Sequence, residues 1–429
     1  MRDEFGEPQT GQAQTGQAQT GQARTVGVIG AGYVGATTAA AMIRLGCRVV
    51  VIDNDADKVR RLQQGHCPLA EPGLDDAFAA GRSEDRLLFG TELSRLAPAT
   101  VVFVCVPTPG RPDGSADTSV ADSVIDDVVV HLAADSVIVV KSTVPVGTAD
   151  TIRKRLAHRQ IEVVSNPEFL REGRALHDFL EPDRIVVGGA SPDAVNEVAA
   201  LYDGLDAPLI RTDSRSAELA KYACNGYLAL KLSYVNELSD LAHAVGADIG
   251  VTTEIMGLDP RIGPAHLTPG PGWGGSCLPK DSQALLASAS ETGIGLTTIS
   301  AAVDANDDRG RRIAQRLAEL ARRRNPERPT VAILGLTFKA GTADLAASPA
   351  LRIAGHLMDA RVAVVGHDPT ISPPSRVGEV VDVEVVDVEG VDVLPTAAAA
   401  LDRADAAAIL TDWPEYRELR ARCDIVPTA

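Results

Sequence analysis

From Thr25 onward the chain alternates short apolar runs with stretches of helical spacing. The clearest runs are VGVIG from Val26, RVVVID at 48–53, TVVFVCV at 100–106, SVIVV at 136–140, IEVV at 161–164 and RIVVGG at 184–189. Runs that are apolar throughout suit strands buried on both faces, and helix-length spacers between them imply βαβ units and a parallel sheet. Between Asp213 and Gly246 the pattern changes: there is no proline, no strand-like run, and only Gly226 as an internal glycine. Leu219, Ala223, Tyr227, Leu230, Tyr234, Leu238 and Leu241 recur every three or four residues there. That spacing predicts one long helix with these side chains on a single face. Such a helix would span roughly 50 Å at 1.5 Å per residue, long enough to tie two domains together and offer a dimer surface.

More helix is expected to about Arg324, interrupted by the loop TPGPGWGGSC. At NPERPT an α/β pattern restarts, with VAILGL at 331–336, a helix near 349–358, RVAVVGHD at 361–368 and AAAILTDW at 406–413. The prediction is an α/β protein: two Rossmann-like doubly wound domains joined by a long central helix and an all-helical middle domain. The domains are placed at roughly 24–212, 213–325 and 326–429. Residues 9–22 repeat a five-residue QAQTG unit with almost no apolar content, which predicts a disordered tail.

A length of 429 residues agrees with about three domains. The formal charge of −17 adds a constraint. An acidic surface repels phosphate backbones and anionic lipid, which argues against nucleic-acid and membrane-surface partners. No apolar run approaches the roughly 18 residues of a membrane span, and MRDEFGEPQTG lacks the hydrophobic region of a secretory signal. Six cysteines without a C-x-x-C argue against a disulfide scaffold or a zinc site. The expectation is a soluble, cytoplasmic protein with no metal.

Two stretches carry chemistry. After the first apolar run comes Gly30-Ala31-Gly32-Tyr33-Val34-Gly35, then a helical run. Glycines there allow a tight turn and close backbone approach to a pyrophosphate at a helix N-terminus. Asp53 ends the second strand, where an acid bonds the adenosine ribose hydroxyls, so the cofactor is read as NAD rather than NADP. Lys58 either contacts the pyrophosphate or is a solvated helix residue. The second stretch is Trp273-Gly274-Gly275-Ser276-Cys277-Leu278-Pro279-Lys280-Asp281. Pro279 suits a first helical turn, which puts Cys277 at a helix N-terminus, where the dipole and a nearby lysine favour thiolate. A dinucleotide site plus a nucleophilic cysteine suggests aldehyde oxidation through a thiohemiacetal and a thioester. Lys221 and Asn225 lie four apart, on one helix face.

With these stretches stand EPGL (71–74), VPTP (106–109), DGSAD (113–117), KSTVPVGT (141–148), SNPEFLREG (165–173), PDRIVVGG (182–189) and AELAKYACNGYLALKLSYVNEL (217–238). DPRIG (259–263), GPGWGGSCLPKD (270–281), GLTFK (335–339) and TDWPEYR (411–417) follow. In order and spacing, from Thr25 to about Arg417, the chain resembles the UDP-glucose/GDP-mannose dehydrogenases, a family of nucleotide-sugar 6-dehydrogenases. GGSC is like the UDP-glucose and GDP-mannose branches and unlike the GGPC of the N-acetylhexosamine branch.

The resemblance implies a four-electron oxidation of a sugar C6 alcohol to the acid, using two NAD and one water. It implies Cys277 as nucleophile; Asp281, with Thr143 and a water, for the alcohol proton; Lys221 and Asn225 for the oxyanion; and Glu168 for thioester hydrolysis. Oxyanion donors fixed before charge develops are each worth roughly 3–4 kcal/mol. Around the cofactor it implies Gly30, Gly32, Tyr33, Val34, Gly35, Asp53, Lys58, Thr108, Thr143, Glu172 and Lys280. Around the nucleotide sugar it implies Glu168, Phe169, Leu170, Arg171, Glu172, Lys221, Asn225, Gly272, Trp273, Gly274, Phe338 and Lys339. Arg261 is expected to reach a neighbouring subunit's substrate in a homodimer built on the long helix. Three departures from the family pattern stand out. Ala346 replaces an arginine that contacts NAD, Gly226 replaces a threonine, and no D-G-R segment follows TDWPEYR. UDP-glucose is the expected substrate; GDP-mannose, dTDP-glucose and a non-catalytic binding paralogue are the alternatives.

Overall fold

In the computed structural model the described residues are 24–69, 71–371 and 390–424; the repeat at 9–22 lies outside them. Eight strands form the larger sheet: β1 (Thr25–Ile29), β2 (Arg48–Ile52), β3 (Leu87–Gly90), β4 (Val101–Val104), β5 (Val137–Val140), β6 (Glu162–Ser165), β7 (Ile185–Gly189) and β8 (Leu209–Thr212). Their order is β3-β2-β1-β4-β5-β6-β7-β8. The first six run parallel in the doubly wound order, so the switch point, where such folds bind ligands, opens between β1 and β4. Apolar side chains on both faces of these strands fill two separate cores.

Two features differ from the sequence reading. β3 and β8 were not among the predicted runs; both are four residues long and partly exposed, so they lack an unbroken apolar signature. β7 pairs with β6 antiparallel, over only two residue pairs. The loop after β6 stays at the carboxyl end of the sheet, and the chain returns from that end instead of crossing over.

The long helix spans Ser214–Val245, with the Asp213 side chain accepting from Ser216 N–H and Gly246 in the left-handed conformation at its end. Its buried residues include Ala217, Lys221, Tyr222, Asn225, Gly226, Ala229 and Ser233. The apolar face named above points the other way: Leu219, Tyr227, Tyr234 and Leu241 are exposed. At Gly226 an added Cβ would lie 3.2 Å from Leu285 and 3.4 Å from Ile299, so the helices here pack more closely than a side chain allows without adjustment. Helices Leu278–Glu291 and Thr297–Arg324 complete the middle region.

The C-terminal sheet holds β9 (Thr330–Leu334), β10 (Ala363–His367), β11 (Val391–Val393) and β12 (Ala406–Ile409), all parallel in the order β11-β10-β9-β12. It repeats the turn geometry of the first domain. Gly30 N–H donates to Ile52 O and Gly335 N–H to His367 O, both at 2.8 Å. Asp53 then accepts from Ala31 N–H at 2.7 Å, and Asp368 from Leu336 N–H at 2.8 Å. Both glycines have positive φ (95° and 88°), and a Cβ at either would collide with Cys105 O or Thr411. The same physical solution closes each β-turn against its neighbouring strands.

Candidate functional site

The helix Tyr33–Arg44 begins at Gly32 with no side-chain cap. Its first N–H groups therefore have no side-chain acceptor and form a ready anion site. Asp53 is buried at the carboxyl end of β2, beside this turn. These features fit a dinucleotide: a bare helix start for phosphate and a carboxylate for ribose hydroxyls. Lys58 is half-buried, and its ammonium lies 3.2 Å from Asp53. Thr108 donates to the carbonyl of Thr143 at 2.7 Å and so joins the loops after β4 and β5.

Two buried charged networks meet near Cys277. Lys221 Nζ donates to Glu168 Oε1 at 2.7 Å, with both residues buried. Leu170 N–H donates to Glu168 Oε2 at 2.7 Å. Burial works against the Glu168 charge, yet the Lys221 ammonium holds its carboxyl below the usual range. Burial likewise works against Lys221, and Glu168 outweighs it, so the ammonium is retained above the usual range. In the second network Asn225 Nδ2 donates to Asp281 Oδ2 at 2.6 Å, while Lys280 Nζ lies 2.6 Å from Asp281 Oδ1. Thr143 and Lys221 line a common recess.

Cys277 caps the helix Leu278–Glu291, as the sequence predicts. The thiol state differs from the expectation. Although Cys277 is exposed at its surface, the protein packed around its thiol and the charge of Glu168 push the thiol up, and Lys221 only partly opposes them. The expected help from Lys280 is spent on Asp281. Ser276 donates to Glu172 Oε1 at 3.2 Å and its hydroxyl lies 3.6 Å from Cys277 Sγ. Burial and the charge of Asp344 push the Glu172 carboxyl up, with Lys339 opposing. Lys339 reaches across from the C-terminal domain to donate to Glu172 O at 2.8 Å, and the Phe338 ring packs against Gly275.

Other candidates take different places. Trp273 is buried: its backbone N–H donates to Asn306 Oδ1 at 2.8 Å, and its indole N–H donates to Ser233 at 2.9 Å. Its carbonyl accepts from Arg352 at 2.9 Å. Trp273 and its neighbours Gly272 and Gly274 thus fasten the cysteine loop to the helices beneath. Arg352 is also paired with Asp307, so it is not free to replace the arginine absent at 346. Arg171 pairs with Asp178, and Phe169 stacks under the Arg184 guanidinium at 3.7 Å. Arg261 points outward, paired with Asp259, its side chain 88% exposed.

Several site residues carried no local signal. Glu71 accepts from Tyr33 OH at 3.0 Å and from Gly173 N–H at 2.8 Å, tying the dinucleotide turn to the loop that carries Glu172. Glu218 accepts from Gly147 N–H, Ala149 N–H and Ser165 Oγ, anchoring the loop of Thr143. EPGL and AELAK are visible motifs, but nothing local to them shows that the fold buries their carboxylates.

Three stretches of the chain match the UDP-glucose/GDP-mannose dehydrogenase family: its NAD binding domain over 24–206, its central domain over 215–308 and its UDP binding domain over 332–425. The UDP-glucose 6-dehydrogenase of Rhizobium meliloti is 38% identical over 385 residues, covering 87% of this chain and 86% of that one. The UDP-glucose 6-dehydrogenase of Pseudomonas aeruginosa is 39% identical over 400 residues, covering 89% and 86%. A solved UDP-glucose dehydrogenase from Pyrobaculum islandicum superposes with a TM-score of 0.86 at 34% identity, covering 96% of this chain and 95% of that one. With its bare glycine turn, its buried Lys221–Glu168 pair beside Cys277 and all three domains matched, the chain belongs to the UDP-glucose/GDP-mannose dehydrogenase family.

Proposed function

We propose that this protein catalyses the NAD-dependent, four-electron oxidation of UDP-glucose at C6 to UDP-glucuronate. The observation that carries the reading is Cys277 at a helix start, within charge range of the buried Lys221–Glu168 pair. NAD, when bound, would supply the hydride-acceptor chemistry that each of the two oxidations at C6 needs. It would be held by Gly30–Gly35, Asp53 and the loops of Thr108 and Thr143. Asp281 accepts hydrogen bonds on both oxygens, which suits a carboxylate that takes the alcohol proton by way of Thr143 and a water. The Cys277 thiol adds to the aldehyde and its proton passes to the aldehyde oxygen, giving a thiohemiacetal. Lys221 and Asn225 steady that oxygen as charge develops. Oxidation of the adduct leaves a thioester, and Glu168, held as a carboxylate, takes a proton from the water that opens it.

The substrate reading is supported by the UDP-glucose 6-dehydrogenases among its relatives. A homodimer is supported by the exposed stripe Leu219, Tyr227, Tyr234 and Leu241 on the long helix, since exposed apolar surface on one face marks an interface. Among the described residues no helix is long and apolar enough to cross a membrane. The test is NADH formation by the purified protein with NAD and each of UDP-glucose, dTDP-glucose, GDP-mannose and UDP-N-acetylglucosamine. UDP-glucose should give the highest kcat/KM and two NADH per acid. NADH with another sugar alone would reassign the substrate, and none with any would leave a binding protein.

A further inference from the structure

A cavity of about 230 Å³ opens behind Glu168, and neither Cys277 nor the Gly30–Gly35 turn lines it. Its floor is polar and buried: Lys141, Asn166, Glu168 and Tyr202. Its rim carries the exposed residues His177 and Asp183. Lys141, just past the end of β5, is 3% exposed and has no carboxylate at ion-pair distance among the described residues. Its ammonium donates to Asn166 Oδ1 at 3.0 Å and Asn166 O at 3.5 Å. An ammonium has three protons, so one has no oxygen or nitrogen acceptor among the described residues; the ammonium also faces the Phe179 ring, 5.2 Å from its centre. Asn166 is itself fixed by Tyr202 OH and by donating to Val186 O at 2.7 Å. Two residues on, the chain presents Glu168.

This arrangement bears on the reaction proposed above, on which the inference rests. The oxidations need water kept from the aldehyde and the adduct, yet the thioester needs water beside Glu168. A volume of this size holds several waters at about 30 Å³ each, and a polar floor gives them partners. We infer that this cavity is the route by which the hydrolytic water reaches Glu168, with Lys141 as a positioning residue that orders the water and the Asn166–Glu168 turn. In the step itself, water oxygen bonds to the acyl carbon and the C–S bond breaks. Glu168 takes the water's proton and returns it to the departing sulfur, so no electrons change hands.

The test is rapid-quench turnover of the full-length protein with NAD and UDP-glucose, reading NADH and the acyl-enzyme by intact-mass spectrometry. Lys141→Met keeps the side-chain length and leaves Asn166 Oδ1 bonded to Tyr202. It should still form two NADH per site while thioester breakdown slows by about 10- to 100-fold, the scale of a misplaced reacting group. Lys141→Arg should restore most of that loss. Ile185→Phe, which fills the cavity wall, should also accumulate acyl-enzyme. If Lys141→Met breaks down thioester at the unaltered rate, or loses oxidation and hydrolysis in equal measure, the role of Lys141 is overturned. Normal hydrolysis in a folded Ile185→Phe overturns the route. An unaltered protein that forms no NADH overturns the functional reading instead, and this inference with it.

Discussion

Removing one partner of the Lys221–Glu168 pair tests the electrostatics on which the site depends. Both groups are buried and joined at 2.7 Å, and breaking such a pair typically costs about 3–5 kcal/mol. Glu168→Gln leaves an ammonium in a dry site, whose escape is to lose its proton. For a lysine of ordinary pKa near 10.4, that costs about 4.6 kcal/mol at pH 7, falling by about 1.4 kcal/mol per unit as pH rises. Lys221→Met leaves a carboxylate, whose escape is to gain a proton, at about 3.7 kcal/mol at pH 7 and less as pH falls. The intact pair has the opposite habit. Glu168 is held low, so its contribution is complete above the ordinary carboxylate range and is lost as pH falls through its folded value. Lys221 is held high, so its contribution is complete below the ordinary lysine range and is lost as pH rises through its folded value. The assay is denaturant unfolding of both single variants and the double variant at pH 6, 7 and 9, with NAD absent. The Gln variant should recover toward pH 9 and the Met variant toward pH 6, and the double variant should be more stable than the two losses summed. Additive losses, or deficits that move together with pH, would refute the burial of the pair.

Cys277→Ala should abolish acid formation, while Cys277→Ser should trap an ester visible by mass spectrometry; unchanged NADH yield from the Ala protein would sink the covalent mechanism. NAD should exceed NADP in kcat/KM by about a hundredfold, since about 1.4 kcal/mol separates each factor of ten and Asp53 would face the 2′-phosphate; Asp53→Ser should narrow that ratio. Ala346 is exposed, its N–H held by Asp344 and its carbonyl by Gly275 N–H, so Ala346→Arg should fit and lower KM for NAD with kcat little changed. Lys58 and Arg352 are engaged elsewhere, which removes the two cations most able to compensate; an unmoved KM would show that the gap is not a lost contact. Tyr227→Glu with Tyr234→Glu should shift a dimer toward monomer in light scattering, and an unchanged mass would exclude the long helix as the interface.

Local pattern alone determined the elements whose causes are local. The βαβ succession, the glycine turn answered by Asp53, the long helix between Asp213 and Gly246, and Cys277 at a helix start all follow from spacing, caps and backbone freedom within a few residues. What the tertiary structure decided needs partners distant in sequence. The long helix repeats polar and apolar residues at the same spacing on more than one face, so periodicity could not say which face is covered. Contact with Leu278–Glu291 and Thr297–Arg324 buries the face with Lys221 and Asn225 and leaves Tyr227 and Tyr234 outside. β7 returns antiparallel to β6 over two residue pairs, a direction its own apolar run does not encode. Glu168 and Lys221, 53 residues apart, become a buried pair only when β6 and the helix meet, and Glu71 becomes a tie only when Tyr33 and Gly173 arrive beside it. Even the Cys277 thiol, placed from its own motif, takes its proton affinity from the protein packed around it and then from Glu168, more than a hundred residues earlier in the chain. A charge owes its state to its surroundings, and those are assembled by the fold.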